Sequence, residues 1–255
     1  MAAGFDMNRP PAPGPSGGPF PDPSLGPLAD FYATPRGRMV AYLLGERLER
    51  IWPTLDGMSL LGLGYPLPYM ADWSFFTQRS IVVMPPPMPP QRWPPGRPNH
   101  VCAASPGRLP FPDLIFDRVL VVHGLEGVGR ARRMLREIWR VLKDDGRLLL
   151  VAPNRRGLWA LVETTPFGQG QPYSSGQITR LLADTLFRIE RRESALFVPP
   201  VTWPSILGSA VVWETLGRAL LPPWIGGVTI AEAVKDTYAG MPVSASKRRR
   251  VLAEI

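Results

Sequence analysis

Short apolar runs alternate with segments of helical periodicity along the chain. The runs contain few polar residues, as buried strands of a parallel sheet do. The helical segments carry apolar residues three and four positions apart, with polar residues between them. This alternation predicts an α/β fold built on a doubly wound, mostly parallel sheet. The predicted strands are Gly57–Leu61, Ser80–Met84, Ile115–Val122 and Arg147–Ala152.

Two amphipathic helices accompany these strands. The first follows Thr34-Pro35, a favourable N-cap and first helical position, and precedes the first strand. A shorter helix is expected over Pro68–Phe76, and the second amphipathic helix follows the third strand and ends at the turn Lys143–Gly146. The apolar positions that define the two faces are Val40, Leu43, Leu44, Leu48 and Ile51, and Val128, Ala131, Leu135, Ile138 and Leu142.

The second half of the chain is less regular. Ser174 and Gln177 have the spacing of a capping box, which predicts a helix before a strand at Phe187–Ile189. A final strand is predicted at Gly226–Ala231. Between these strands, about residues 199–224, we expect a helical insertion that forms either a core or lid helix or a membrane-surface helix. Its expected apolar face contains Ile206, Leu207, Ala210, Val211 and Leu216.

Composition divides the chain into three parts. The 32 prolines cluster in two blocks, and the first block makes residues 1–30 a Pro/Gly-rich arm that we expect to be disordered. Residues 31–240 form the predicted domain, and residues 241–255 form a basic tail containing Lys247–Arg250. The formal net charge of +8 comes mainly from scattered arginines, which favours a solvated surface over nucleic-acid binding. Peripheral contact with anionic lipid stays open as an alternative.

Several functional classes find no support in the sequence. One cysteine and two histidines exclude an internal disulfide and a zinc cluster of ordinary spacing, so no metal is expected. Phosphate-binding loops and Ser-His-Asp arrangements are not evident. The start of the chain lacks the pattern of a signal peptide, and prolines interrupt the long uncharged run at residues 194–213. We therefore expect a cytoplasmic protein.

Three segments together resemble the class I S-adenosylmethionine-dependent methyltransferases, especially the methyltransferase type 11 family. Leu60–Pro66 is similar to the glycine-containing first motif, and Leu109–Val119 to the approach to the fourth strand. The most specific segment, Leu135–Gly146, resembles the family's Glu-x-x-Arg-Val-Leu-Lys helix and turn. The resemblance covers roughly Phe31–Ala239 and implies a Rossmann-like sheet with S-adenosylmethionine as the cofactor. It places the cofactor against Gly62, Leu63, Gly64, Tyr65, Met84 and His123.

The sequence departs from the family where the cofactor's polar groups would bind. The acidic residue expected before the first glycine is Leu60, and the one expected at the end of the second strand is Met84. The loop expected to carry an Asp near the adenine is Ala103-Ala104-Ser105. Each lost charged hydrogen bond costs about 1.5 to 3 kcal/mol, so the departures imply cofactor binding that is weakened or lost.

Candidate catalytic residues are His123, Glu126 and Asn154, which follow the predicted third and fourth strands. Histidine is a common general acid or base, but a structural role is equally compatible with the place of His123. Glu126 either faces the same cleft or caps the next helix. Arg155 and Arg156 either hold an acidic substrate or lie in a solvated loop.

Two functions follow from these features. The first is an S-adenosylmethionine-dependent methyltransferase acting on an unknown, apolar small-molecule acceptor. The alternative is a catalytically inactive methyltransferase-like protein that serves as an interaction scaffold. The loop Thr164–Ser174 is rich in turn formers and either covers a substrate or fills the domain edge. A cleft over Gly62–Gly64 filled by Met84, Tyr65 or proline side chains would favour the scaffold.

Overall fold

The computed structural model describes residues 26–126 and 131–236. Seven strands form one sheet, and helices lie on both of its faces. The helices are α1 (Gly26–Ala33), α2 (Pro35–Ile51), α3 (Leu67–Met70), α4 (Ala131–Val141), α5 (Ser175–Ala183), α6 (Pro204–Gly208) and α7 (Ala210–Leu220). The strands are β1 (Ser59–Gly64), β2 (Arg79–Met84), β3 (Val101–Ala103), β4 (Phe116–Val122), β5 (Leu142–Pro153), β6 (Phe187–Ala195) and β7 (Val228–Lys235).

The strand order is β3-β2-β1-β4-β5-β7-β6. The pairs among β1 to β5 are parallel, whereas β7 runs antiparallel to both β5 and β6. Gly64 pairs with Val122, and Val122 pairs with Val151, so the carboxyl ends of β1, β4 and β5 share one edge. Ligands of open α/β folds bind at such an edge. The mostly parallel, Rossmann-like sheet predicted from the sequence is confirmed.

Each face of the sheet has its own apolar core. On one face, α1 and α2 cover alternate strand residues, and the fully buried Val40, Leu44 and Leu48 lie on the predicted helix stripe. On the other face, α4 and α5 cover the intervening strand residues through Leu135 and Ile138 among others. Burial of side chains of this size contributes roughly 1.5–3 kcal/mol each, so the amphipathic helices are fixed by packing on the sheet.

The capped helix starts are as the sequence predicts. Thr34 accepts a hydrogen bond from Gly37 N at the start of α2, and Pro35 occupies the first helical position. Ser174 and Gln177 form the predicted capping box of α5. Both caps satisfy backbone N–H groups that have no partner within the helix.

Other boundaries differ from the predicted ones. The helix after β1 is short and gives way to a 3-10 turn at Trp73–Phe75. No helix joins β2 to β3 across residues 85–100, and β3 was not predicted because its three residues carry too little pattern. The predicted turn at Lys143–Gly146 is wrong, since β5 begins at Leu142. β6 and β7 extend beyond their predicted ends, and α1 begins inside the predicted arm.

The insertion at residues 199–224 contains α6, α7 and a 3-10 turn at Pro223–Ile225. The single apolar face expected there is wrong, because the helix is broken at Ser209. Leu207 and Ala210 are buried, whereas Val211 and Leu216 are exposed. No helix within the described ranges is long and apolar enough to cross a membrane. The basic tail, the first 25 residues and Val128 lie outside the described residues.

Candidate functional site

A cluster of aromatic side chains lies at the carboxyl ends of β1 and β4. Tyr65 follows β1, His123 follows β4, and Tyr69 lies on α3. Tyr32 reaches the same place from α1. The Tyr32 hydroxyl is 2.8 Å from the Tyr69 hydroxyl and 2.9 Å from His123 Nε2. The Tyr32 and Tyr65 rings are stacked with centroids 5.5 Å apart. These four residues are the tyrosine–histidine cluster.

The hydroxyls of the tyrosine–histidine cluster are protonated at neutral pH. Burial raises the pKa of Tyr65 to about 12 and raises the pKa values of Tyr32 and Tyr69 well above the ordinary tyrosine range. A buried neutral phenol needs a hydrogen-bond partner, and Tyr32 meets this need through Tyr69 and His123. The three phenols are therefore neutral, and the hydrogen bonds of Tyr32 tie α1 to the end of β4.

His123 has a strained backbone and a fully enclosed ring. Its φ is 50°, and the side chain is buried between the Tyr32 ring and the Phe167 ring, whose centroid lies 4.9 Å away. A histidine in left-handed backbone is uncommon, and such strain is frequent at functional sites. Phe167 comes from the predicted covering loop Thr164–Ser174, so that loop packs directly on the histidine.

Glu126 lies beside His123. Its Oε1 atom is 3.7 Å from His123 Nδ1, a distance too long for a hydrogen bond. Both carboxylate oxygens are buried and have no hydrogen-bond partner within the described structure. An unpartnered buried carboxylate is costly, so Glu126 is the group at this edge best suited to receive a donor. The alternative helix cap involves residues 127–130, which lie outside the described residues.

Asn154 has a different role from the other two candidates. Its amide donates to the Trp224 and Gly226 carbonyls at 2.8 and 2.7 Å, and its Oδ1 accepts from Arg156 N at 3.2 Å. All of these partners are backbone groups, and the side chain is buried. The structure thus brings His123 and Glu126 together. Asn154 instead holds the segment before β7 against the end of β5 through hydrogen bonds.

The two glycines of the first motif are enclosed by protein atoms. Gly64 has φ of +84°, and a Cβ there would overlap the Val122 carbonyl. A Cβ at Gly62 would overlap Met70 and Pro66. Leu60 and Met84 are fully buried. The glycines therefore serve close packing of β1 against β4 and α3 in this conformation.

S-adenosylmethionine does not fit over these glycines as the side chains stand. Met70 and Pro66 lie against Gly62, and the Val122 and His123 backbone lies against Gly64. Leu60, Met84 and Ala103–Ser105 supply no carboxylate for the amino, ribose or adenine groups. A groove of about 230 Å³ adjoins the cluster at Tyr65. Tyr65, Gln91, Met88 and Leu28 are among its lining residues. Within the described residues, no group of three or more His, Cys, Asp or Glu side chains could hold a metal ion.

A larger cavity, of about 740 Å³, lies where β5, β6 and the start of α5 meet. Arg47, Arg156, Arg192 and Arg218 line it, together with Trp224. We call it the arginine pocket. Arg47 is 3.7 Å from Glu193, and Arg218 is 2.7 Å from Glu214, so part of the positive charge is paired. Arg156, one of the two arginines singled out in the sequence, faces this pocket, whereas Arg155 is exposed beyond it.

Known proteins resemble this chain in one segment and in fold. Residues 91–150 match the family model described as a methyltransferase domain. The ubiquinone/menaquinone biosynthesis C-methyltransferase UbiE of Bordetella parapertussis is 47% identical over 58 residues, which are 23% of this chain and 22% of that protein. The corresponding protein of Pasteurella multocida is 45% identical over 56 residues, 22% of this chain and 20% of that protein. The chain thus spans about a fifth of the length of the curated relatives it matches.

Solved structures match most of the chain. An S-adenosylmethionine-dependent methyltransferase from Archaeoglobus fulgidus has a TM-score of 0.55 and 19% identity, with 81% of this chain and 96% of that chain covered. A possible histamine N-methyltransferase from Thermotoga maritima has a TM-score of 0.54 and 16% identity, with 82% and 93% covered. The fold is that of the class I S-adenosylmethionine-dependent methyltransferases, and the segment 91–150 relates the chain to them in sequence as well.

Proposed function

We propose that the chain is an S-adenosylmethionine-dependent methyltransferase whose cofactor cleft is closed in the conformation described. The match of residues 91–150 to the methyltransferase domain, within a sheet of the same fold, carries this proposal. The acceptor is proposed to be a small molecule with an apolar part. Phe197 and Trp224, which line the arginine pocket beside its charges, support that choice. The unpartnered Glu126 carboxylate is the proposed contact for a cationic group at the carboxyl edge.

Tyr32 is the residue that closes the cleft. Opening requires α1 to withdraw the Tyr32 side chain, which breaks its hydrogen bonds to Tyr69 and His123 and its stacking on Tyr65. Each hydrogen bond contributes about 1 kcal/mol net, so the open state is a minor one. The apparent affinity for the cofactor is reduced by the population of that state. Removal of the Tyr32 side chain should therefore strengthen cofactor binding.

Calorimetry and thermal shift with S-adenosylmethionine and S-adenosylhomocysteine test the proposal. We expect Tyr32→Ala to bind both ligands about tenfold more tightly than the unaltered protein. Phe31→Ala is the matched control, since it removes a neighbouring buried ring of α1 that contacts neither Tyr65 nor His123 in the described ring pairs. If neither the unaltered protein nor Tyr32→Ala binds at millimolar ligand, the proposal is wrong.

The second candidate is a non-catalytic interaction scaffold. The protein atoms packed against Gly62 and Gly64, and the hydrogen bonds that hold Tyr32 at the same edge of the sheet, favour it. In a scaffold the only role of Tyr32 would be to hold α1 in place. Tyr32→Ala would then lower the stability of the protein without raising its affinity for either ligand. The same titrations therefore separate the two candidates.

A further inference from the structure

Helix α7 has the reverse of the usual amphipathic orientation. The side chains packed against the domain are Ala210, Glu214 and Gly217, which include one charged residue and no large apolar one. The outward side chains are mostly large and apolar. Leu220 is 76% exposed, Val212 57% and Leu216 51%. Surface helices of soluble domains normally turn such residues inward.

Specific contacts hold α7 in this orientation. The Glu214 carboxylate accepts hydrogen bonds from Leu196 N at 3.1 Å and Phe197 N at 2.7 Å, and Arg218 donates to it at 2.7 Å. A Cβ at position 217 would overlap the Phe197 side chain, so only glycine allows this approach. Rotation of the helix would bury its leucines, but it would break these bonds and leave two backbone N–H groups unpaired. The outward apolar face is therefore a fixed feature of the fold.

Large apolar side chains in the segments before and after α7 are exposed as well. Trp203 precedes α6 and is 66% exposed, and Trp224 follows α7 and is 55% exposed. We call the whole set the tryptophan face. Its members are Trp203, Val212, Trp213, Leu216, Leu220, Leu221 and Trp224. Several large apolar side chains exposed together mark a contact with a partner or a membrane.

The charges around the tryptophan face have one dominant sign. Within residues 197–227 the charged side chains are Glu214 and Arg218, and Glu214 is buried and paired. Trp224 shares the arginine pocket with four arginines, one of them Arg156, and with one carboxylate, Glu193, so positive charge predominates beside the apolar surface. A symmetric pairing of two copies would bring the same cationic rim from both copies to one interface, which is unfavourable. Tryptophan beside arginine is instead the combination that suits a membrane interface with anionic lipids.

We propose that the tryptophan face docks on an anionic membrane surface, with lipid phosphate groups against Arg156 at the rim. The apolar side chains enter the boundary between headgroups and acyl chains. Arg156 adds electrostatic attraction, which salt weakens. This docking requires neither the cofactor nor the tyrosine–histidine cluster, and it shares Trp224 and Arg156 with the arginine pocket.

Vesicle sedimentation with the full chain tests the proposal. The vesicles are phosphatidylcholine alone and phosphatidylcholine mixed with phosphatidylglycerol. We expect binding to the mixed vesicles, and we expect Leu220→Ser to weaken it about tenfold. Phe76→Ser is the matched control, because Phe76 is 67% exposed but lies outside the tryptophan face. Arg156→Gln should weaken binding to mixed vesicles, whereas Arg79→Gln, an exposed arginine at the start of β2, should not.

Three results would overturn the proposal. The first is no binding of the unaltered protein to either kind of vesicle. The second is vesicle binding that Leu220→Ser leaves unchanged, because the basic tail would then account for it. The third is a dimer, seen in sedimentation velocity, that Leu220→Ser dissociates, because a second copy would then occupy the face.

Discussion

At the residue scale, Gly64 links the first motif to the stability of the sheet. Its positive φ disfavours any other residue, and an added methyl group would overlap the Val122 carbonyl of the neighbouring strand. Gly64→Ala should therefore lower the free energy of unfolding by about 3 kcal/mol, from backbone strain and overpacking together. Urea unfolding measures the loss.

Gly57→Ala is the control for this substitution. Gly57 also has a positive φ, +69°, but a Cβ there would meet open space. Only the strain applies, so a loss of about 1 kcal/mol is expected. Equal losses of unfolding free energy at the two positions would show that the close approach of Gly64 to Val122 does not contribute to stability.

Asp117 gives stability a defined pH dependence. Its carboxylate accepts from Ser59 N at 2.8 Å and from Lys143 Nζ at 2.7 Å, which joins β4 to β1 and β5. Burial acts to raise the pKa of Asp117, but the bonds to Lys143 and Ser59 outweigh it and hold the pKa below its usual value. A depressed folded-state pKa contributes stability above the unfolded pKa, and the contribution is lost as pH falls through the folded pKa.

Asp117→Asn should therefore cost about 1–2 kcal/mol at neutral pH, and the cost should shrink below about pH 4. Chemical denaturation of both proteins across this range measures it. Asp113→Asn is a suitable control, since Asp113 forms a more exposed ion pair with Arg140 and should change stability by less than about 1 kcal/mol. A constant difference across the pH range would contradict the assigned role of the Asp117 charge.

The sequence indicated part of the candidate site and missed the rest for a physical reason. His123 and Glu126 follow a strongly apolar strand, so their place at the carboxyl edge could be predicted. Tyr32 contacts His123 across 91 positions of the chain, and no local pattern encodes such a contact. Asn154 was a reasonable candidate by position, but its side-chain amide donates hydrogen bonds to backbone carbonyls of the segment before β7.

At the scale of elements, α7 depends on a single buried carboxylate. Glu214→Ala would leave the Leu196 and Phe197 amides without their acceptor, so a loss of about 2–3 kcal/mol is expected. Thr215→Ala on the exposed side of the same helix should change stability by less than about 0.5 kcal/mol. Thermal unfolding followed by circular dichroism compares them. If Glu214→Ala were as stable as Thr215→Ala, the hydrogen bonds would not be what orients the helix.

Element boundaries show where patterns are informative. The helices α2, α4 and α5 bury long apolar stripes on the sheet, so periodicity predicts them well. The α6–α7 segment has an equally apolar sequence, yet its large side chains point outward because Glu214 and Gly217 are held against residues 196–197. Periodicity shows which residues share a face, but it does not show which face is buried.

At the scale of the whole molecule, one sheet serves two cores. Residues of β1, β4 and β5 alternate between the core under α1 and α2 and the core under α4 and α5. The strands themselves are nearly free of exposed surface at the centre of the sheet. Because the same strands contribute side chains to both cores, loss of packing on one face exposes strands whose other face packs in the second core. The described domain should therefore unfold as one cooperative unit.

Substitutions on opposite faces of the sheet test this cooperativity. Leu44→Ala in α2 and Met134→Ala in α4 each remove a buried side chain, and each should cost about 2–5 kcal/mol. Leu161→Ala, at a 75% exposed position, is the control and should stay within about 0.5 kcal/mol. In all three variants, far-ultraviolet circular dichroism and tryptophan fluorescence should report one coincident urea transition. Separate transitions in either core variant would mean that the two faces unfold independently, and the shared strands would then not couple them.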